Sequence, residues 1–262
     1  MSKKPATTAA DQPDAAKAPL PLFYNKPTLL DAAVHGDMGA AKDIGFGFAA
    51  QVNALPLNLV EFPQAAHFYP IAFARDAVAT PVAVVGVRDN ENLFVNEAGQ
   101  WKEDTYIPAY VRRYPFILSE SPDGQQLSLC IEDAPGMMIK GGADRFFDDN
   151  KEPTQLSRNA MEFCRSYHVA AQQTQLFGQA LIEADILVDR TAEMTLKGGQ
   201  RVTFSGFRII DEEKFNRLPE KTLVEWRTRG WLAGAYAHLF SGMHWGDITR
   251  MIAERMPAGT QK

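Results

Sequence analysis

Cysteine is nearly absent from this sequence: Cys130 and Cys164 are the only two in 262 residues. They fall in no CxxC or Cys/His ligand spacing, which excludes a zinc-ribbon site and a disulfide-stapled secreted scaffold. Both sit among apolar residues and read as buried or half-buried small hydrophobes. Long apolar runs are missing too. The most apolar stretch, Val82 to Val87, is far short of the ~20 residues that span a bilayer. The opening MSKKPATTAADQPDAAKAPLP lacks the apolar centre of a secretory signal. The expected location is therefore the cytoplasm, with no membrane-spanning segment. Positive charge is not in excess: 27 Lys and Arg face 32 Asp and Glu, a net charge of −5. Phosphate backbones demand a positive field, so nucleic acid is not an expected partner.

Catalytic signatures are also lacking. There is no GxSxG and no GxxxxGK[ST] phosphate loop. GFGF at 45–48 and KGG at 140–142 are glycine turns without the strand–loop–helix order of a dinucleotide site. The five histidines, His35, His67, His168, His238 and His244, form no HxxxH or HExxH pair. His244 and Asp247, three apart, read as the start of a helix rather than as metal ligands. His67 alone is weak support for acid–base chemistry. No catalytic residue, metal or cofactor is expected.

What is present points to an α+β chain: an antiparallel sheet or meander in the N-terminal half, packed by a long helix and a helical C-terminal region. Residues 1–21 are too poor in large apolar groups to order themselves, 22–256 are expected as a single α+β domain, and 257–262 as a frayed tail. Within 22–41, TLLDAAVH suits one short helix. Ile44–Ala49 and Leu55–Phe62 read as extended, Ile71–Ala74 as a strand, and Phe62 and Tyr69, each before proline, as biased away from helix. Pro81–Val87, then the DNEN turn, then LFV, then EAGQ gives strand, turn, strand, turn. Pro108 starts a short helix, AYVRRY, that Pro115 ends, and Phe116–Leu118 returns to strand. QLSLCIED alternates, predicting a half-buried strand with Leu127, Leu129 and Ile131 on one face. Residues 134–150 read as a loop.

From Thr154 to Ala184 the pattern changes to a helical seam, with Leu156, Ala160, Phe163, Tyr167, Ala170, Thr174, Phe177, Leu181 and Ala184 at steps of four and three. Such a helix is about 45 Å long, with a break allowed at Gly178. A hairpin follows, Met194–Leu196 and RVTFSGFRII joined through Gly198 and Gly199. Asp211 caps DEEKFNRL, and Pro219 begins a helix that Gly230 stops. WLAGAYAHLFSGM is apolar enough to be a buried helix, and Asp247 caps a last one with Ile248, Met251 and Ile252 inward.

The densest stretch is Pro81–Leu118, which carries Phe94, Trp101, Tyr106, Tyr110, Tyr114 and Phe116 around Arg112 and Arg113. A guanidinium fork among aromatics can hold a carboxylate or phosphate. The candidate ligand-binding residues are thus Trp101, Tyr106, Tyr110, Arg112, Arg113 and Phe116. Adjacent helical residues diverge by ~100°, so at most one arginine faces a given pocket. The structural alternative has one arginine solvated and the other paired with an acid such as Glu91 or Asp133.

HFYPIAF, VVGVRDNENLFVNEAGQW, YIPAYVRRYPF, LCIED and FRIIDEEKFNRLPEKTLVEWRTRGWLAGAYAHLFS together resemble the bacterial SapC family, over roughly residues 55–245. The family takes its name from surface-array (S-layer) proteins associated with serum resistance. The resemblance implies a soluble protein, a link to a surface layer and hence a cell-surface setting, and no assigned catalytic or cofactor residue. Two functional readings follow. One is a non-enzymatic binding or assembly protein with a protein partner in a surface layer. The other is a cytoplasmic accessory protein or enzyme that binds a small acidic ligand through an arginine and aromatics.

Overall fold

The computed structural model describes residues 20–121, 123–195 and 201–255. Most of the expected N-terminal tail, the Gly198–Gly199 turn and the C-terminal tail lie outside them. Ten strands and eight α-helices occur among the described residues. In chain order they begin with β1 (Pro27–Leu29), α1 (Ala32–His35), β2 (Met38–Ala40), β3 (Ala54–Pro56), α2 (Phe62–Ala65), β4 (Ile71–Ala74) and β5 (Pro81–Val84). Next come α3 (Ala109–Arg112), β6 (Phe116–Glu120), β7 (Leu127–Glu132), β8 (Met138–Lys140) and α4 (Gln155–Glu183). The chain continues with β9 (Leu187–Thr195), β10 (Arg201–Ile210), α5 (Glu212–Asn216), α6 (Glu220–Thr228), α7 (Trp231–Ser241) and α8 (Trp245–Arg255).

The strands form three antiparallel sheets, ordered β1-β7-β6, β3-β5-β4-β10-β9 and β2-β8. The architecture is α+β, with sheets filling the first half and helices most of the second. The largest core joins the five-stranded sheet to α4, α6, α7 and α8 through Leu55, Phe62, Phe73, Phe177, Leu181, Trp226 and Ile248. No helix among the described residues is long and apolar enough to cross a membrane.

The seam from 154 to 184 is one unbroken helix, α4, with its buried side at Cys164, Thr174, Phe177 and Leu181. Gly178 does not break it. A Cβ there would lie 1.9 Å from the Val78 carbonyl oxygen, so glycine is where the 76–80 loop crosses the helix. Thr174 Oγ1 also accepts the Leu59 N–H at 2.8 Å, fixing α4 to the turn before α2. Asp211 caps α5 through the N–H groups of Glu213 and Lys214. Gly230, at φ 75°, separates α6 from α7.

The first half departs from the expectations in several places. Ile44–Ala49 is not extended: Asp43 and Gly45 have positive φ and Gly47–Ala49 is a 3-10 turn, which brings Phe46 and Phe48 to one ring cluster. Of the expected extended run 55–62 only Leu55 and Pro56 are strand, the end of β3, because Asn58 and Glu61 form a capping box. Phe62 is helical (φ −53°, ψ −43°) despite Pro63. The box starts a 3-10 turn, Leu59–Glu61, that runs into α2, and Pro63 lies in the first turn of α2, where no N–H is needed. LFV is not a strand. Leu93, Phe94 and Val95 are all buried, and the Arg255 guanidinium takes the carbonyls of Asn92, Leu93 and Val95.

β7 is buried on both faces. Cys130 packs with Tyr24, Tyr114 and Ile117, and the Glu132 carboxylate accepts the N–H groups of Asn25 and Lys26 at 3.0–3.2 Å. The 134–150 segment contains β8, paired with β2, and buries Phe146 and Phe147. The short helix expected within 22–41 is only α1, flanked by two strands. β9 begins at Leu187, seven residues before the expected hairpin arm. α7 is apolar but one face is open: Phe240 is 69% exposed. Asp247 lies inside α8 and bonds His244 Nδ1 (2.8 Å) and Arg250 (2.7 Å) instead of capping it.

An aromatic cleft beside Trp101 bordered by Arg112

The segment that delivers Trp101 is built from asparagine side chains. Asn92, 1% exposed, donates to the Ala49 carbonyl and accepts from Phe94 N–H, both at 2.9 Å. Asn96 Oδ1 accepts the Gln100 N–H at 2.9 Å and closes a tight turn. Gly99, at φ 73°, supplies the left-handed residue of that turn and accepts the Phe46 N–H at 2.7 Å. Trp101 follows directly. It stacks near Phe94 (6.4 Å between ring centres), meets Phe46 edge-on (5.7 Å), and donates its indole N–H to Thr105 Oγ1 at 3.1 Å.

A cleft of about 650 Å³ opens beside it, lined by Phe46, Phe48, Trp101, Arg112 and Tyr114 among others. Its volume falls within the range of small-molecule sites, and Asp43, Gly99 and Gln100 also line it. Phe48 and Tyr114 stack at 4.0 Å to form one wall.

Arg112 is held in place by three groups. Its Nε donates to the Ile107 carbonyl at 3.0 Å, its Nη2 donates to the Tyr106 hydroxyl at 3.2 Å, and its guanidinium lies 5.4 Å from the Phe163 ring centre. The Tyr106 hydroxyl in turn donates to Glu61 Oε1 at 2.9 Å. Glu61 is 4% exposed and also accepts the Ala109 N–H (2.7 Å) and the Asn58 N–H (2.9 Å). Burial, then the neighbouring Glu61 charge, pushes the Tyr106 hydroxyl up to about 12, with Arg112 opposing. The phenol is therefore a neutral link between a cation and a buried carboxylate. No ion pair among the described residues includes Arg112.

Arg113 behaves differently. Its guanidinium lies between the rings of Tyr110 (4.2 Å) and Tyr167 (4.5 Å), with Tyr24 at 5.6 Å. Cation–π contact in a desolvated site accounts for this position without a ligand. The same burial raises the Tyr24, Tyr110 and Tyr167 hydroxyls above the usual phenol range, with Arg113 opposing. The acids suggested as arginine partners are taken by others: Glu91 by Arg88 (3.5 Å) and Asp133 by Lys26 (2.6 Å).

The six candidate residues thus fall into separate places. Trp101 and Arg112 border the cleft, and Tyr106 stands behind Arg112. Tyr110 and Arg113 belong to the tyrosine layer that includes Tyr167 of α4. Phe116 packs edge-on against Phe146 at 6.1 Å, away from the cleft. Phe46 and Phe48 were hidden in a glycine-rich run that reads as a turn. Glu61 was legible only as the fourth position of an Asn-x-x-Glu capping box.

Among the described residues no group of three or more His, Cys, Asp and Glu could hold a metal ion. Cys164 is buried, and that burial pushes its thiol up to about 11, so it is a poor nucleophile.

Fold and cleft together define an α+β protein with an aromatic recess that one arginine borders. A family model described as SapC matches residues 30–248, and the chain belongs to the SapC family. Comparisons with curated proteins and with solved structures find no match.

Proposed function

We propose that this protein binds a small ligand carrying a carboxylate or phosphate on an aromatic body, seated in the Trp101 cleft and paired with Arg112. The observation that supports this is the state of Arg112: anchored by Ile107 and Tyr106, unpaired by any acid, and at the rim of an aromatic recess. An anion there forms a charge-assisted hydrogen bond without displacing an internal ion pair. A ring between Trp101 and Tyr114 gains aromatic contact as well.

We read the role as binding or assembly rather than catalysis, because the cleft lining offers no activated nucleophile beside a base. The link to a bacterial surface layer rests on the family's name and belongs to this reading. Cell fractionation tests it, and protein found only in the cytosol without an envelope partner removes it. For the cleft, calorimetry with phenylacetate and phenyl phosphate is the test. Saturable binding that weakens at least tenfold in Arg112→Met supports the site, and equal binding to both proteins refutes it.

A further inference from the structure

A second cavity, of about 560 Å³, lies between the β1–β7 edge and the start of α4. The geometry points to a binding site here for a single-chain anionic amphiphile of the fatty-acid type. The inner surface is aliphatic and aromatic: Leu29, Leu127, Leu129, Phe147 and Met161. Ser157 is the hydroxyl in the lining of the α4 side, and it already donates to the Phe146 carbonyl at 2.7 Å. Ser128 adds a hydroxyl on the β7 side and the cavity opens to solvent, but most of its lining is apolar, so an apolar body is the favoured occupant. Leu29 is 50% exposed on a short edge strand, an unfavourable placement that an aliphatic chain would relieve.

The mouth selects the sign of the head group. Arg158, Met161, Glu162 and Arg165 are spaced at i, i+3, i+4 and i+7, one stripe along α4. All three charged residues are exposed, and none is in an ion pair among the described residues. The Arg158 guanidinium is tied to the Pro153 carbonyl, so it is held at the rim instead of moving freely. Two arginines against one glutamate leave a net positive rim over an apolar floor. A carboxylate on an alkyl chain matches both parts, whereas an alkyl ammonium would match only one. The volume suits one chain, within the usual range for small ligands. The site shares no residue with the Trp101 cleft, so either can fail without the other.

The test is calorimetric titration of the full chain with decanoate below its micellar range, alongside 1-decanol and decyltrimethylammonium. Expected are one saturable decanoate site per chain and at least tenfold weaker binding of the ammonium analogue. The double variant Arg158→Glu/Arg165→Glu should lose decanoate affinity at least tenfold and keep that for decanol. Leu29→Glu should weaken both. These side chains are exposed and in no ion pair among the described residues, and Arg158 gives up only its bond to the exposed Pro153 carbonyl, so thermal midpoints near wild type are expected and report that the fold is intact. Unsaturable decanoate uptake, or unchanged affinity in the double variant and in Leu29→Glu, overturns the proposal. So does co-sedimentation with phosphatidylglycerol vesicles without decanoate binding, which would assign the rim to a membrane surface.

Discussion

Replacing Glu61 probes the group that couples the fold to the cleft. Its carboxylate is 4% exposed and accepts three hydrogen bonds, from Tyr106 Oη, Ala109 N and Asn58 N. Glu61→Leu removes every acceptor and leaves three donors, two of them buried backbone N–H groups. Each buried unsatisfied donor costs about 1–3 kcal/mol. Tyr106 is half exposed and can turn to water, so the expected loss is about 2–6 kcal/mol from the other two. Glu61→Gln keeps one oxygen, which can serve Ala109 and Tyr106, but its NH2 then faces the Asn58 N–H. The expected loss is about 1–3 kcal/mol, for that one contact. For a chain of this size each kcal/mol moves the melting midpoint by about 2–4 °C. Thermal and urea denaturation should therefore rank wild type above Glu61→Gln above Glu61→Leu, with the Leu variant lower by roughly 4–24 °C. Calorimetry on Glu61→Leu adds the functional half: Tyr106 loses its acceptor and Arg112 part of its anchoring, so anion binding should weaken several-fold, whereas Glu61→Gln, which keeps that oxygen, should bind near wild type. Midpoints of both variants within about 2 °C of wild type would refute the view of Glu61 as the hub.

Two further outcomes concern the core. Gly178→Ala gains about 1 kcal/mol in helix propensity, but its Cβ would sit 1.9 Å from the Val78 carbonyl. Steric displacement should win, with a net loss of about 1–3 kcal/mol by urea unfolding, and a stabilised variant would contradict the close crossing. His238 is buried, stacks near Phe73 at 4.9 Å between rings and accepts the Ile210 N–H, and burial lowers its pKa to about 4. Above the unfolded value of about 6.5 neither state holds the proton. As pH falls from there toward 4 only the unfolded chain takes it up, so stability drops by about 3 kcal/mol. Denaturation midpoints followed from pH 7 to 4 should show this loss in wild type but not in His238→Gln, and parallel profiles would contradict it.

What was legible in the sequence divides along the chain for physical reasons. α4 was readable because a nine-position seam has one solution, and α5 to α7 because Asp211, Pro219 and Gly230 mark their ends. The α+β class followed from that change of pattern. In the first half, elements of three to six residues carry too little periodicity to read. They are fixed by contacts between residues far apart in sequence. Arg255 holds carbonyls more than 150 residues earlier, at Asn92, Leu93 and Val95, and Glu132 ties down Asn25 and Lys26. The alternation at 127–132 concealed a strand buried on both sides, because a carboxylate that accepts backbone N–H groups can be buried as fully as a leucine.

For the candidate site, the density of aromatics marks the stretch that holds Trp101 and Arg112 but not how its residues divide. Adjacent arginines diverge at the end of α3, Arg112 toward Tyr106 and Phe163, and Arg113, its C-cap, between Tyr110 and Tyr167. Ile107, Tyr106 and Tyr110 are near in sequence, but the rings that separate the two, Phe163 and Tyr167 of α4 and Tyr24 of the opening segment, are not.

The central claim is that Arg112 is the anion-binding group of the Trp101 cleft. Titrating phenyl phosphate into wild type, Arg112→Met and Arg113→Met measures it most directly. Saturable binding to wild type and at least tenfold weaker binding to Arg112→Met are expected. Arg113→Met should keep near wild-type affinity with a lowered melting midpoint. Binding lost with Arg113 and retained without Arg112 would contradict it.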